Sequence, residues 1–138
     1  MTRRMGAEAG QDLVEYALVL PLFLLLTVSV FEFAILFFQY GTISNAAREA
    51  ARVGTMASTA TCNDACVTSK VQTAARRLIA GLNESDFTVT VTYPTLGGRP
   101  MVNVDLQYRT GYLTRMLAEA TGQSGGLVLH STSTMARE

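Results

Sequence analysis

The chain has little of the chemistry on which enzymes and nucleic-acid-binding proteins depend. Its 138 residues include one histidine, two cysteines and no tryptophan, and only 16% of them are charged. Basic and acidic residues balance at 11 each, and no basic cluster offers an electrostatic site for nucleic acid. The sequence also lacks a glycine-rich phosphate loop and a nucleophile elbow. We therefore expect no nucleic-acid partner, no small-molecule substrate and no cofactor.

The few residues able to do acid–base or metal chemistry are scattered along the sequence. His130 has Ser131 and Ser133 beside it but no second histidine, which favours a surface role. Two cysteines and one distant histidine fall short of the four ligands of a structural zinc site. The sequence thus predicts no catalytic residue, no metal site and no enzyme.

What the chain does have is a long apolar run near its start. From Tyr16 to Phe38 the only formal charge is Glu32, and no polar face exists to turn toward water. A bilayer core takes about 20 apolar residues, whereas the apolar part of a cleaved signal peptide has about 7 to 15. The run therefore predicts a membrane-spanning helix at about residues 16–38 or the core of a filament.

The charges around this run predict its orientation. Arg3 and Arg4 precede it, and no basic residue follows until Arg48. The positive-inside rule then places the N-terminus in the cytoplasm and exports the rest of the chain.

Two residues inside the run are unusual. Pro21 removes a helical hydrogen bond and predicts a kink. Glu32 lies about 24 Å beyond Tyr16 at about 1.5 Å per residue, near the outer interface of a membrane. Either it is a solvated boundary acid or it has a buried partner in another subunit.

Beyond the run, helix-forming residues continue to about Ser58, so a helix counted from Asp12 would be about 70 Å long. Its later part has a face of small residues, namely Ala46, Ala47, Ala50 and Ala51. This face is either an exposed alanine-rich surface or a seam for close packing.

Cys62 and Cys66 lie in a polar turn between two helical patterns. In an exported domain they are expected to form a disulfide. Closing so short a loop would stabilise the fold by about 2 kcal/mol, chiefly by fixing the turn.

The remainder, residues 59–138, predicts one small exported α+β domain. Apolar residues from Val67 to Leu82 recur every three or four positions, typical of an amphipathic helix. Phe87–Tyr93 and Val102–Arg109 alternate with period two and flank a loop at Pro94–Pro100, which indicates a hairpin. A short helix at Tyr112–Ala120 and a third strand from Leu127 to about Met135 complete the pattern. We expect one main helix and a three-stranded antiparallel sheet packed on the long helix.

The residues at the start of the apolar run resemble the processing site of prepilins and pseudopilins. Gly10 is followed by Gln11, by Glu15 at the fifth position after the glycine, and then by the apolar helix. The resemblance implies cleavage between Gly10 and Gln11 by a prepilin peptidase, which makes residues 1–10 a leader and residues 11–58 the long helix. It also implies that Glu15 pairs with the N-terminal amine of a neighbouring subunit. Asp12 and Glu15 equally fit a capping box, and both interpretations can hold together.

Four segments in order resemble TadE-like proteins of tight-adherence pilus systems: GQDLVEYALVLPLFLLL, FEFA, AAREAAR and the C-terminal STSTMARE. This resemblance implies a minor pilin or pseudopilin in a bacterial inner or cytoplasmic membrane or in an extracellular pilus. Its partners would be the membrane, the peptidase, other pilin subunits and the assembly machinery. The alternative is a scaffold or binding protein of such a machine that stays anchored and uncut.

Overall fold

The computed structural model describes residues 6–57, 62–79, 81–110 and 127–137. These residues form two α-helices, α1 (Gly6–Ala57) and α2 (Asp64–Leu78), and a short 3-10 turn at Glu84–Asp86. Four strands follow: β1 (Phe87–Thr92), β2 (Thr95–Leu96), β3 (Arg99–Arg109) and β4 (Val128–Ala136). The fold class is α+β, as the sequence predicts. The chain divides into two compact units, Met1–Ile35 and Leu36–Glu138.

The first unit is helical throughout its described residues. Helix α1 begins at Gly6, ahead of the start at Gln11 that the sequence predicts, and it is continuous across Pro21. The apolar side chains of this unit are exposed all round, because nothing in the unit other than the helix itself is available to cover them.

The second unit contains the hydrophobic core, and the C-terminal part of α1 supplies one side of it. Ile43 and four alanines are fully buried there: Ala46, Ala47, Ala50 and Ala51. The small-residue face is therefore a packing seam, one of the two alternatives that the sequence leaves open. The seam lies in the same hydrophobic core as the buried residues of α2 and β3. Alanine suits such a seam because it brings the helix axis close to its neighbours.

Gly54 marks the tightest point of that seam. A Cβ atom at this position would lie 2.9 Å from Cγ1 of Val102 on β3 and 3.0 Å from Cγ2 of Val71 on α2. Both neighbours are fully buried β-branched residues with little freedom to move. Only glycine fits between them without displacement.

Helix α2 is amphipathic and buries Val67, Val71 and Ala75. It ends at Leu78, earlier than the Leu82 that its sequence pattern predicts. Ile79 adopts a non-helical conformation and accepts a backbone hydrogen bond from Leu82 at 3.0 Å. The chain turns there because Gly81 has φ +83°, a conformation that side-chain-bearing residues rarely adopt.

The sheet is antiparallel, with β3 between β1 and β4. Val104 pairs with Val91 on one side and with Ser133 on the other, which sets the register. One face contributes four buried side chains of β3 to the core: Val102, Val104, Leu106 and Tyr108. The opposite face carries polar side chains from all three strands, as period-two alternation predicts.

The sequence predicts three strands and a loop at Pro94–Pro100, but the structure shows a fourth strand inside that segment. β2 pairs with the start of β3 through Thr95 with Pro100 and Leu96 with Arg99. Gly97 and Gly98 have φ values of 58° and 78° and make the two-residue turn. The hairpin therefore extends almost to its tip. The predicted helix at Tyr112–Ala120 lies outside the described residues.

The Gly54 seam predicts opposite effects for two glycine-to-alanine substitutions in α1. Gly54→Ala gains helix propensity but overpacks the core, so we expect the free energy of unfolding to fall by about 1 kcal/mol. Gly41→Ala is the matched control: nothing lies within 4 Å of the position that its Cβ atom would occupy, so it should raise that free energy by up to about 1 kcal/mol. Thermal unfolding in detergent, followed by near-ultraviolet circular dichroism, compares the two. A stabilised Gly54→Ala protein would contradict this account of the seam.

Candidate functional site: the N-terminal helix and the disulfide

The residues predicted to form the processing site all lie on α1. Gly10, Gln11 and Glu15 are exposed, and nothing lies within 4 Å of the position that a Cβ atom of Gly10 would occupy. Asp12, Glu15 and Tyr16 follow one another at helical spacing on one face. The structure thus places two acids on one exposed face directly before the apolar residues.

The capping-box interpretation of Asp12 and Glu15 is wrong for the intact chain. A capping residue precedes the first turn and has non-helical backbone angles. Helix α1 begins at Gly6, so Asp12 is inside it, where the backbone N–H groups of the next turn already have helical partners. Local capping therefore does not account for these two acids in the full-length protein.

The apolar run presents its large side chains to the surroundings. The exposed ones between Leu13 and Tyr40 have 42% to 73% of their surface open, and they include four phenylalanines: Phe31, Phe33, Phe37 and Phe38. A helix that is long and apolar enough to cross a membrane is found within Gly10–Ala57. Since contiguous apolar surface of this extent marks a membrane or protein interface, a bilayer or other subunits must cover the run.

The few polar side chains in the run are mostly accommodated by the helix itself. The Thr27 hydroxyl donates to the carbonyl oxygen of Phe23 at 2.8 Å, and the Ser29 hydroxyl donates to that of Leu25 at 2.8 Å. Such bonds satisfy hydroxyl groups in surroundings without water. Glu32 is partly buried, and the two alternatives for its role stay as the sequence leaves them.

The disulfide that the sequence predicts is present in the second unit. The Sγ atoms of Cys62 and Cys66 are bonded across the start of α2. Between them, Asn63 is the helix N-cap, and its side-chain oxygen accepts a hydrogen bond from the backbone N–H of Cys66 at 3.0 Å. The covalent bond and the cap therefore both fix the first turn of α2.

Beside this turn the structure shows a polar cluster that the sequence does not predict. Its members, which we call the Asp64 corner, are Asp64, Thr68, Tyr93 and Arg137. The Tyr93 hydroxyl donates to the carbonyl oxygen of Asp64 at 2.9 Å, and Arg137 Nη1 lies 2.9 Å from Asp64 Oδ1. The Arg137 guanidinium carbon also lies 5.0 Å from the centre of the Tyr93 ring. Asp64 and Thr68 lie in α2, whereas Tyr93 follows β1 and Arg137 follows β4, so no local pattern could have predicted the cluster.

Two observations concern the described histidine, cysteine and acidic side chains. Within them, no group of three or more histidine, cysteine, aspartate or glutamate side chains could hold a metal ion. His130 Nδ1 lies 3.8 Å from Asp105 Oδ1, and both side chains are substantially open to solvent. This pair lies on the polar face of the sheet.

Comparison with known protein families gives a match over part of the chain. Residues 10–52 match the model of the TadE-like protein family, a range that starts at Gly10 and covers the apolar run and most of the small-residue seam. Searches of curated proteins and of solved structures find no match. The match includes the first three of the four sequence segments that resemble TadE-like proteins. Over residues 10–52 the predicted resemblance to TadE-like proteins is therefore confirmed.

Proposed function

We propose that this protein is a minor pilin or pseudopilin, a structural subunit or assembly factor of a bacterial pilus. The observation that carries the proposal is the exposed apolar surface of α1 from Leu13 to Phe38, attached to a second unit with its own core. A helix of this kind inserts in a membrane and can later pack against the same helix of other subunits. The TadE-like match over residues 10–52 supports the pilus context.

The proposed topology has the N-terminus in the cytoplasm and the second unit outside the cytoplasmic membrane. Arg3 and Arg4 support it because basic residues flank the cytoplasmic end of membrane helices. The disulfide between Cys62 and Cys66 supports it independently, because disulfides persist in oxidising compartments and are rare in the bacterial cytoplasm.

The proposed processing event is cleavage between Gly10 and Gln11 by a prepilin peptidase. Glu15 then pairs with the new α-amino group of a neighbouring subunit. A carboxylate at the edge of hydrocarbon is costly without a partner, and cleavage creates a cation within the same region of the assembly. The role is structural; we propose no catalytic activity.

A second candidate is a scaffold of the pilus or secretion machine that stays anchored and uncut. The observation that favours it is the helical backbone at Gly10. Proteases bind extended segments, so residues around Gly10 would have to unwind before cleavage.

The two candidates differ in the N-terminus and the location of the mature protein. Material sheared from the surface of the native host and the membrane fraction would be analysed separately by intact mass and N-terminal sequencing. The pilin proposal expects chains beginning at Gln11 in the sheared fraction. Chains that begin at Met1 and occur only in membranes would establish the anchored scaffold instead.

The cleavage site itself is tested by Gly10→Leu in the native host. The added side chain should exclude the extended segment from a narrow peptidase site and leave the chain at its full mass. Gly6→Leu is the matched control, since it alters another glycine before the apolar run and should leave processing intact. Efficient removal of residues 1–10 from the Gly10→Leu protein would rule out this site.

Pairing by Glu15 is tested by Glu15→Gln, which keeps the size of the side chain and removes its charge. Cleavage should proceed as before, while the ratio of sheared to membrane-bound protein should fall about tenfold, equivalent to about 1.4 kcal/mol. Asp12→Asn provides the comparison on the same helix face and should reduce the ratio much less. Equal incorporation of the Glu15→Gln and unaltered proteins would remove Glu15 from assembly.

A further inference from the structure

The ends of β1 and β4 and the start of β3 meet at the first turn of α2. Tyr93 follows β1 and bonds the carbonyl oxygen of Asp64, while Arg137 follows β4 and bonds its carboxylate. The backbone N–H of Arg137 donates to the carbonyl oxygen of Pro100 at 2.9 Å, which joins the same end of β4 to β3. Asp64 thus uses both its backbone and its side chain to hold residues that are remote in sequence.

The disulfide encloses the two residues on which this arrangement depends. Cys62 and Cys66 flank Asn63, which caps α2, and Asp64, which makes the contacts with Tyr93 and Arg137. Without the covalent bond, the first turn of a helix is the part that frays most easily. The disulfide therefore holds Asp64 in the position that Tyr93 and Arg137 require.

Through Arg137, the C-terminal end of β4 depends on the position of Asp64. Its side chain is only 16% exposed, whereas the Asp64 side chain is 61% exposed. A mostly buried cation that loses an acidic partner is costly to keep in place. Displacement of Asp64 should therefore loosen the Arg137 side chain, which also lies over the Tyr93 ring, and with it the C-terminal end of β4.

We propose that the Cys62–Cys66 disulfide is a redox-sensitive latch for the C-terminal end of β4, acting through Asp64 and Arg137. The latch forms after export, and this timing rests on the proposed topology. A dithiol–disulfide oxidoreductase of that compartment is the oxidant. One cysteine thiolate attacks the oxidant disulfide to give a mixed disulfide, and the second thiolate displaces the reduced oxidant. The protein loses two electrons and two protons overall, and the oxidant disulfide becomes two thiols.

Such a latch would couple disulfide formation to completion of the sheet. A subunit that has not been oxidised would keep its α1 seam and its β1–β3 pairing, because these contacts do not involve the corner. Only the end of β4 would open. The oxidised protein alone would present the finished domain to other subunits.

Amide hydrogen exchange on the purified full-length protein in detergent tests the latch. Three samples are compared: the oxidised protein, the Cys62→Ser/Cys66→Ser variant, and Glu84→Gln. The last breaks the Arg76–Glu84 ion pair, which has the same 2.9 Å N–O distance but lies at the other end of α2. Loss of the disulfide should speed exchange about tenfold or more at Met135–Arg137 and leave Val104–Leu106 unchanged. Glu84→Gln should change neither segment.

A second pair of variants tests whether the effect passes through Arg137. Arg137→Met in the oxidised protein should speed exchange at Met135 and Ala136 to a similar extent. Removing both cysteines from the Arg137→Met protein should then add little, because the connection is already broken. Fully additive effects would mean that the disulfide acts elsewhere, and the latch would be refuted.

Two other outcomes would also overturn the proposal. Equal exchange of β4 with and without the disulfide would show that the corner holds without it. Global unfolding of the cysteine-free variant would show a general stabilising bond rather than a local latch. All these measurements use isolated protein, so they do not depend on cleavage at Gly10 or on incorporation into a pilus, and a failure here leaves the proposed function standing.

Discussion

The need to cover a single long helix on all sides imposes the main constraint on this chain. From Leu13 to Phe38 its large apolar side chains project in every direction, and they must leave water by entering lipid or contacting other subunits. From Ile43 to Ala57 one face of the helix consists mostly of small residues, and its own domain covers that face. The change in side-chain size along one helix thus determines where the apolar surface is covered by the chain itself and where it must be covered by lipid or another subunit.

The small-residue part of the helix has little freedom to adjust its packing when a side chain changes. Alanines give few rotamers to adjust, and at Gly54 the helix backbone approaches two stiff valines, Val71 and Val102. Well-packed interiors with this little freedom respond strongly to an added methyl group. The same rigidity gives α2 and β3 a defined position against α1, and hence gives the sheet a fixed base within the second unit.

Periodic features of the fold could be predicted from the sequence, because each depends on neighbours along the chain. The apolar run, the amphipathic pattern of α2 and the alternation in β1 and β3 all belong to this class. The disulfide was also predictable, since Cys62 and Cys66 have no other partners in the sequence. The short strand β2 was missed because Pro94 and Pro100 indicated a loop, whereas two glycines with positive φ allowed pairing to continue. The Asp64 corner could not be predicted, because Asp64 and Arg137 are 73 residues apart and neither has a distinctive neighbourhood.

The error in the capping box shows how one sequence pattern can describe two states of a protein. In the intact chain, helix α1 begins at Gly6, and Asp12 and Glu15 face the surroundings from within it. Cleavage after Gly10 would make Gln11 the first residue and would leave the first four backbone N–H groups without helical partners. Asp12 and Glu15 would then lie in a first turn, where acids interact favourably with the helix dipole. Acids that gain nothing from capping in the precursor would acquire that role in the processed chain, beside a newly formed α-amino group. Cleavage would therefore create both the positive charge that Glu15 is proposed to bind and the helix end that keeps the acids in place.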